Sequence, residues 1–200
     1  CSGYAGDDAP MPVENVSLAY AGGKLSLTWD APRGMNGGYV NPAQVSYAIT
    51  RYVNGVATEL PAVSGATSFS ENWTEPTEYF ESIYYDVKCV YNGTPTLSTP
   101  SNTLLLGCIL PPYELPLDNV ADARSLLVIN NNHDSATWTF NTTRGKGAMC
   151  YNWSDTQKGD DYLVLPGARL EKNKAYFFNF ITGVEGVNYP ETYMVVVGKT

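Results

Sequence analysis

Apolar and polar residues alternate with a period of two along most of this chain. Val16, Leu18 and Tyr20 keep that rhythm, Gly22-Gly23 turns the chain, and Leu25, Leu27 and Trp29 resume it. Successive side chains of a strand point to opposite faces, so the pattern predicts half-buried β-strands. Pro32 ends the second run, because proline brings no donor to a central ladder. Val45, Tyr47 and Ile49 predict a third strand, closed by Asn54-Gly55, a pair that tolerates the positive φ of a tight hairpin. Short strands follow at Ser68-Phe69-Ser70, at Tyr85, Val87, Cys89 and Tyr91, and, after Asn92-Gly93, at Thr103 to Leu106. These six, with the return strand that the Asn54-Gly55 hairpin requires, make seven short strands in under a hundred residues, the arithmetic of a β-sandwich.

Beyond Pro111-Pro112-Tyr113-Glu114 the pattern starts again. Six further strands are predicted, at Leu126 to Ile129, Thr137 to Phe140, Ala148 to Tyr151, Tyr162 to Leu165, Tyr176 to Phe180 and Tyr193 to Val197. Asn130-Asn131-Asn132, Arg144-Gly145-Lys146-Gly147 and Glu185-Gly186-Val187-Asn188 are turn material between them. No amphipathic helix longer than about two turns is evident. The expected organisation is an N-terminal tether at 1–9, a β domain at 10–106, a linker at 107–113 and a second β domain at 114–200. The fold class is all-β, two sandwiches in tandem.

Composition agrees. The 200 residues are 44% hydrophobic and 16% charged, enough to bury a core. The net charge of −8 argues against nucleic acid and against a polybasic membrane contact. No apolar run reaches 18 residues. Cys89, Cys108 and Cys150 form no CxxC pair; Cys89 is in phase with the buried side of its strand, and a pairing of Cys108 with Cys150 stays open. Zinc is disfavoured by that spacing and by the single histidine, His133.

The segment 10–106 resembles a fibronectin type III domain. The residues that carry the resemblance are Trp29 with Ala31-Pro32, Tyr47-x-Ile49-x-Arg51, Tyr85-x-Val87-x-Cys89 and Ser101-Asn102. It implies a spacer or adhesion module, with the Tyr85 hydroxyl capping a corner of the sandwich. The segment 109–200 resembles the jelly-roll modules called choice-of-anchor J or cleaved adhesin domains. Asp160-Asp161-Tyr162-Leu163-Val164-Leu165-Pro166, Lys174 to Phe180 and Pro190 to Gly198 carry that match, and the module is expected to be incomplete at Thr200. Cys1, followed by a short polar stretch, resembles the lipidated first residue of a mature bacterial lipoprotein. That resemblance implies a chain held on the outer membrane or cell surface, facing outward, with membrane contact only through the lipid.

The jelly-roll resemblance implies a calcium site drawn from Asp118, Asn130, Asn132, Asp134, Asp160 and Asp161, the oxygen ligands a hard cation takes. The alternative is that the Asn run is a turn and the acidic pair caps loop amides. Trp73, Trp153 and Tyr189 fall in loops and are candidate platforms for stacking a sugar, although aromatic residues of a sandwich also serve the core. No nucleophile, zinc or phosphate-loop motif accompanies His133, so catalysis is not expected and no cofactor beyond calcium is implied. The expected function is non-catalytic adhesion or binding of a glycan or extracellular protein by the second domain. The alternatives are an assembly subunit joined through an open edge near Tyr193 to Val197, and an accessory module of a longer enzyme.

Overall fold

A computed structural model describes residues 6–142, 147–152, 154, 156, 159–184 and 192–198. In its first half, strand β1 (Ser17–Ala21) pairs antiparallel with β2 (Lys24–Thr28) across the predicted glycine turn, where Gly22 and Gly23 both take positive φ. Three more strands follow: β3 (Val45–Val53), β4 (Val56–Glu59) and β5 (Val63–Ser64). Next in the chain are β6 (Ser68–Asn72), β7 (Phe80–Tyr91), β8 (Thr94–Pro95), β9 (Thr99–Pro100) and β10 (Leu104–Gly107). One sheet has the order β1-β2-β6; the other runs β10-β7-β3-β4, with β5 added on β3 and β8 and β9 on β7.

The alternation seen in the sequence is the alternation of burial. Leu18, Leu25, Leu27 and Trp29 from one sheet meet Val45, Tyr47, Ile49, Ile83, Tyr85, Val87 and Cys89 from the other in a single cluster. Each such side chain contributes about 1.5–3 kcal/mol by leaving water. Trp29 and Tyr47 pack edge to face with centroids 5.0 Å apart. Cys89 is fully buried, and burial pushes its thiol up. Asn102 clasps β1 from a distance: it accepts from the Leu18 N–H at 2.7 Å and donates to the Leu18 carbonyl at 2.9 Å. The Thr99 hydroxyl donates to the Val13 carbonyl.

Two expectations about boundaries change. Residues 6–9 are docked rather than loose. Asp7 bridges to Tyr39, and Asp8 is 1% exposed, its carboxylate accepting from the Asn36 N–H, the Asn36 side-chain amide and the Gly38 N–H. The linker is also bound on both sides. The Cys108 N–H reaches the Tyr79 carbonyl, while Ile109 donates to the Gly167 carbonyl and accepts from the Arg169 N–H. Tyr113 sets its ring edge-on against Phe80.

The second half starts with a single-turn helix, α1 (Val120–Ala123), whose first amides are capped by the Asn119 side chain. Strand β11 (Leu127–Asn130) pairs antiparallel with β14 (Asp161–Val164), and β12 (Trp138–Asn141) with β13 (Ala148–Tyr151). Four of the six predicted strands are therefore present, in two separate two-stranded sheets. The strands expected at Tyr176 to Phe180 and Tyr193 to Val197 are not formed: the described chain there runs without ladder partners, and Phe177, Met194 and Val197 are 89%, 83% and 89% exposed. Their strand-like composition is unmistakable, but a strand exists only against a neighbouring backbone. A jelly-roll sandwich is accordingly not assembled among the described residues; between the two segments Phe180 packs edge to face against Tyr193 at 5.9 Å.

Candidate functional site

Parity along β3 and β7 places three polar groups in the core phase of the first sandwich. Tyr47, Ile49 and Arg51 share one face of β3, opposite Cys89, Val87 and Tyr85 on β7. Glu71, two residues after Phe69 on β6, faces them from the other sheet. Arg51 Nη1 lies 2.6 Å from Glu71 Oε2, both side chains about one-fifth exposed. The second Glu71 oxygen accepts from the Tyr85 hydroxyl. Burial first, and the Glu71 carboxylate second, push the Tyr85 phenol up. Tyr85 thus reaches across to the opposite sheet through a side chain, instead of capping a corner of the fold.

Trp73 completes this cluster. Its ring lies 5.1 Å under the Arg51 guanidinium, and its indole N–H donates to Glu81 Oε2 at 3.0 Å. Of Trp73, a candidate for stacking, one face is taken by Arg51 and the polar edge by Glu81. Trp153 and Tyr189, like Cys1, lie outside the described residues.

A concave site lies where α1 meets the β7 sheet. Arg124, just past α1, reaches over the Asn54-Gly55 turn, and any β-carbon at Gly55 would overlap its guanidinium. Two cavities flank it. One, of about 260 Å³, is lined by Asn54, Ser82 and Asp122; the other, of about 340 Å³, by Tyr84, Thr103 and Leu126, with Arg124 common to both. Among the described residues the Arg124 side chain makes no hydrogen bond or ion pair. Tyr84 stacks on Tyr52 with centroids 4.5 Å apart and planes 3° from parallel. Burial pushes both phenols up, Asp86 adds to the effect on each, and Arg124 draws Tyr84 back. Arg124 and this tyrosine pair were not singled out in the sequence; no motif marks them, because the turn, the helix and the strand come from distant parts of the chain.

The six residues of the expected calcium site divide. Asn130 and Asp161 are opposite each other in the β11–β14 ladder, so both occupy one face. Asn130 Oδ1 and both Asp161 carboxylate oxygens are buried without a hydrogen-bond partner. Asn130 Nδ2 also donates to the Asp134 carbonyl at 2.8 Å; of the remaining four, Asn132, Asp134 and Asp160 engage their side chains locally and Asp118 its backbone N–H. Asn132 and Asp134 bond to each other, and Asp134 Oδ1 takes the Ala136 N–H at 2.7 Å. Asp160 accepts from the Asn131 side chain at 2.7 Å, and the Asp118 N–H turns back to Asp122. The Asn run leaves β11 in a bend, with His133 exposed at positive φ. Among the described residues no three His, Cys, Asp or Glu side chains gather as a metal cluster. The Asn130–Asp161 rung fits a hard cation in the kind of its atoms and supplies three of them.

Cys108 and Cys150 are both free thiols, which closes the pairing left open in the sequence.

No family model matches this chain, and no curated protein matches it. Among solved structures, one of a set of titin domains is 14% identical and aligns with a TM-score of 0.38. The match covers 50% of this chain and 33% of the titin structure, so the chain spans about a third of that structure's length. The fold of the first half stands on its own two antiparallel sheets, β1-β2-β6 against β10-β7-β3-β4, which make it a β-sandwich of the immunoglobulin and fibronectin kind.

Proposed function

We propose that this chain is a non-catalytic binding protein displayed at a bacterial surface, and that its ligand is an acidic glycan held in the cleft under Arg124. One observation carries this reading: an unpaired guanidinium stands between two cavities, beside a stacked tyrosine pair. A guanidinium is the side chain best shaped to grip a carboxylate by two parallel hydrogen bonds. Tyrosine rings offer apolar area with a polar tip, the combination that suits a sugar. Asn54, Ser82 and Thr103 supply neutral hydrogen-bonding groups around the same hollow. In an acidic chain a lone cation of this kind selects for charge as well as shape.

In this reading the first sandwich, of fibronectin type III character, forms one wall of the cleft through Asn54, Ser82, Tyr84 and Thr103. An array of acidic and neutral glycans, read with the native chain and with Arg124→Gln, tests the proposal. Binding of uronic or sialic acid sugars that falls in the variant supports it; equal binding by both chains, or none by either, sinks it.

A second reading has its own observation. Met194, Val196 and Val197 are 83%, 70% and 89% exposed in one run. Exposed apolar area of that kind marks contact with another chain, so an assembly subunit is the alternative. Sedimentation of the purified chain separates the two: a concentration-independent monomer removes the assembly reading.

A further inference from the structure

We propose that Asn92 is a site of spontaneous deamidation, and that the fold shields the other two Asn-Gly pairs of this chain from the same reaction. The sequence contains three such pairs, Asn36-Gly37, Asn54-Gly55 and Asn92-Gly93. The reaction joins the backbone nitrogen of the glycine to Cγ of the asparagine. The Cγ–Nδ2 bond breaks, ammonia leaves, and a five-membered succinimide remains. Water then opens either carbonyl of the ring, giving aspartate or isoaspartate; nothing is oxidised or reduced. Glycine favours the step because no β-carbon hinders the approach of its nitrogen.

The three sites share this chemistry but not their surroundings. At Asn36 the side-chain amide donates to Asp8 Oδ1 at 2.9 Å, its own N–H donates to Asp8 Oδ2, and the attacking Gly37 N–H is held by the Gly34 carbonyl at 3.0 Å. At Asn54 the side-chain oxygen accepts from the Ser82 N–H at 2.9 Å, the backbone N–H donates to the Ser82 carbonyl, and Arg124 lies over Gly55. Each of these asparagines is pinned; the Gly37 nitrogen is bonded, and the Arg124 guanidinium lies against Gly55.

Asn92 has none of these restraints. Asn92 and Gly93 are both exposed, nothing lies within 4 Å of the β-carbon position of Gly93, and the Asn92 side chain makes no hydrogen bond among the described residues. Ring closure requires the turn to open. Asn92 and Gly93, at φ 48° and 79°, are held by a hairpin of two ladder pairs, Tyr91 with Thr94 and Val90 with Pro95, beyond which the Thr96 N–H donates to the Cys89 carbonyl at 2.8 Å and the Thr96 hydroxyl accepts from the Cys89 N–H at 3.1 Å. The β3–β4 hairpin around Asn54 has four pairs. Short, exposed ladders open locally at far lower cost than long, anchored ones.

Deamidation would add one negative charge to a chain already at −8. The isoaspartate product would also lengthen the backbone by a methylene and shift Thr94 out of register with Tyr91.

The test is peptide mapping by mass spectrometry of the folded chain, held in mildly alkaline buffer, with isoaspartyl methyltransferase labelling as a second readout. The expected result is conversion at Asn92 about tenfold faster than at Asn36 or Asn54, with both acid isomers present. In denaturant the three sites should convert at similar rates. Gly93→Ala should slow the Asn92 reaction, with the melting temperature followed to verify folding. Conversion of Asn36 or Asn54 as fast as Asn92 in the folded chain, or an inert Asn92 there, overturns the proposal.

Discussion

Arg51 and Glu71 meet inside the first sandwich, one from each sheet, with Nη1 2.6 Å from Oε2. They occupy positions where the strand period calls for apolar side chains. Removing one partner from a buried pair leaves the other charge uncompensated and is far more harmful than replacing both. Glu71→Ala should therefore cost about 2–4 kcal/mol in denaturant unfolding. The double replacement Arg51→Met with Glu71→Leu should cost less than Glu71→Ala alone. A double variant as damaged as the single one would show that the charges are not what bolts the sheets.

Tyr85 isolates one bond of the same cluster. Its ring is fully buried, and its hydroxyl donates to Glu71. Tyr85→Phe keeps the ring and removes the donor, so the loss should be about 1 kcal/mol. Thermal and denaturant unfolding of the two chains supply the measurement.

Asp8 predicts a dependence on acid. Burial works against its charge, but hydrogen bonds from the Asn36 N–H and side chain and from the Gly38 and Ala9 backbone outweigh it, and hold the carboxyl below its ordinary 3.8. A carboxyl held low in the folded chain stabilises it above its unfolded value, and that contribution drains as the pH falls through the folded one. The loop at 34–39 should loosen below pH 3.8, read by hydrogen exchange at Asn36 and Gly38. In Asp8→Asn the same amides should exchange with no such pH step.

Asp161 offers the sharpest metal test. A buried carboxylate with no partner is a cost that a neutral amide avoids. Without divalent cation, Asp161→Asn should raise stability by about 1–2 kcal/mol. If calcium is held at the Asn130–Asp161 rung, it should stabilise the native chain by about 2.7 kcal/mol at free ion a hundredfold above Kd, and leave the variant unmoved. Equal melting temperatures in calcium and in EDTA for the native chain would remove the site.

The first sandwich was legible because its strands bury one face and expose the other, and Leu25, Leu27, Trp29, Tyr85, Val87 and Cys89 record that in their spacing. The Arg51–Glu71 bolt was also written there: Arg51 follows Tyr47 and Ile49 in phase, and Glu71 follows Phe69. A charge in the apolar phase on two different strands points to a pair across the core. The Arg51 and Glu81 contacts of Trp73 were not legible, because loop position says nothing about what lies against a ring. Tyr176 to Phe180 and Tyr193 to Val197 look like strands by composition, yet pairing depends on a partner backbone that the segment itself cannot supply. Arg124 and Tyr84 converge only through tertiary placement, which no local pattern encodes.

Asn102 and Ile109 impose an order on how the chain matures. As the polypeptide emerges from its N-terminal side, β1 and β2 can form a hairpin at once, but β1 is not clasped until Asn102 arrives, after nearly all of the sandwich has been made. Ile109 then waits much longer, because its backbone partners are Gly167 and Arg169. The seam between the two halves is therefore sewn in stages: Tyr113 against Phe80 and Arg124 over Gly55 are available early, and the pairing of Ile109 with Gly167 and Arg169 comes late.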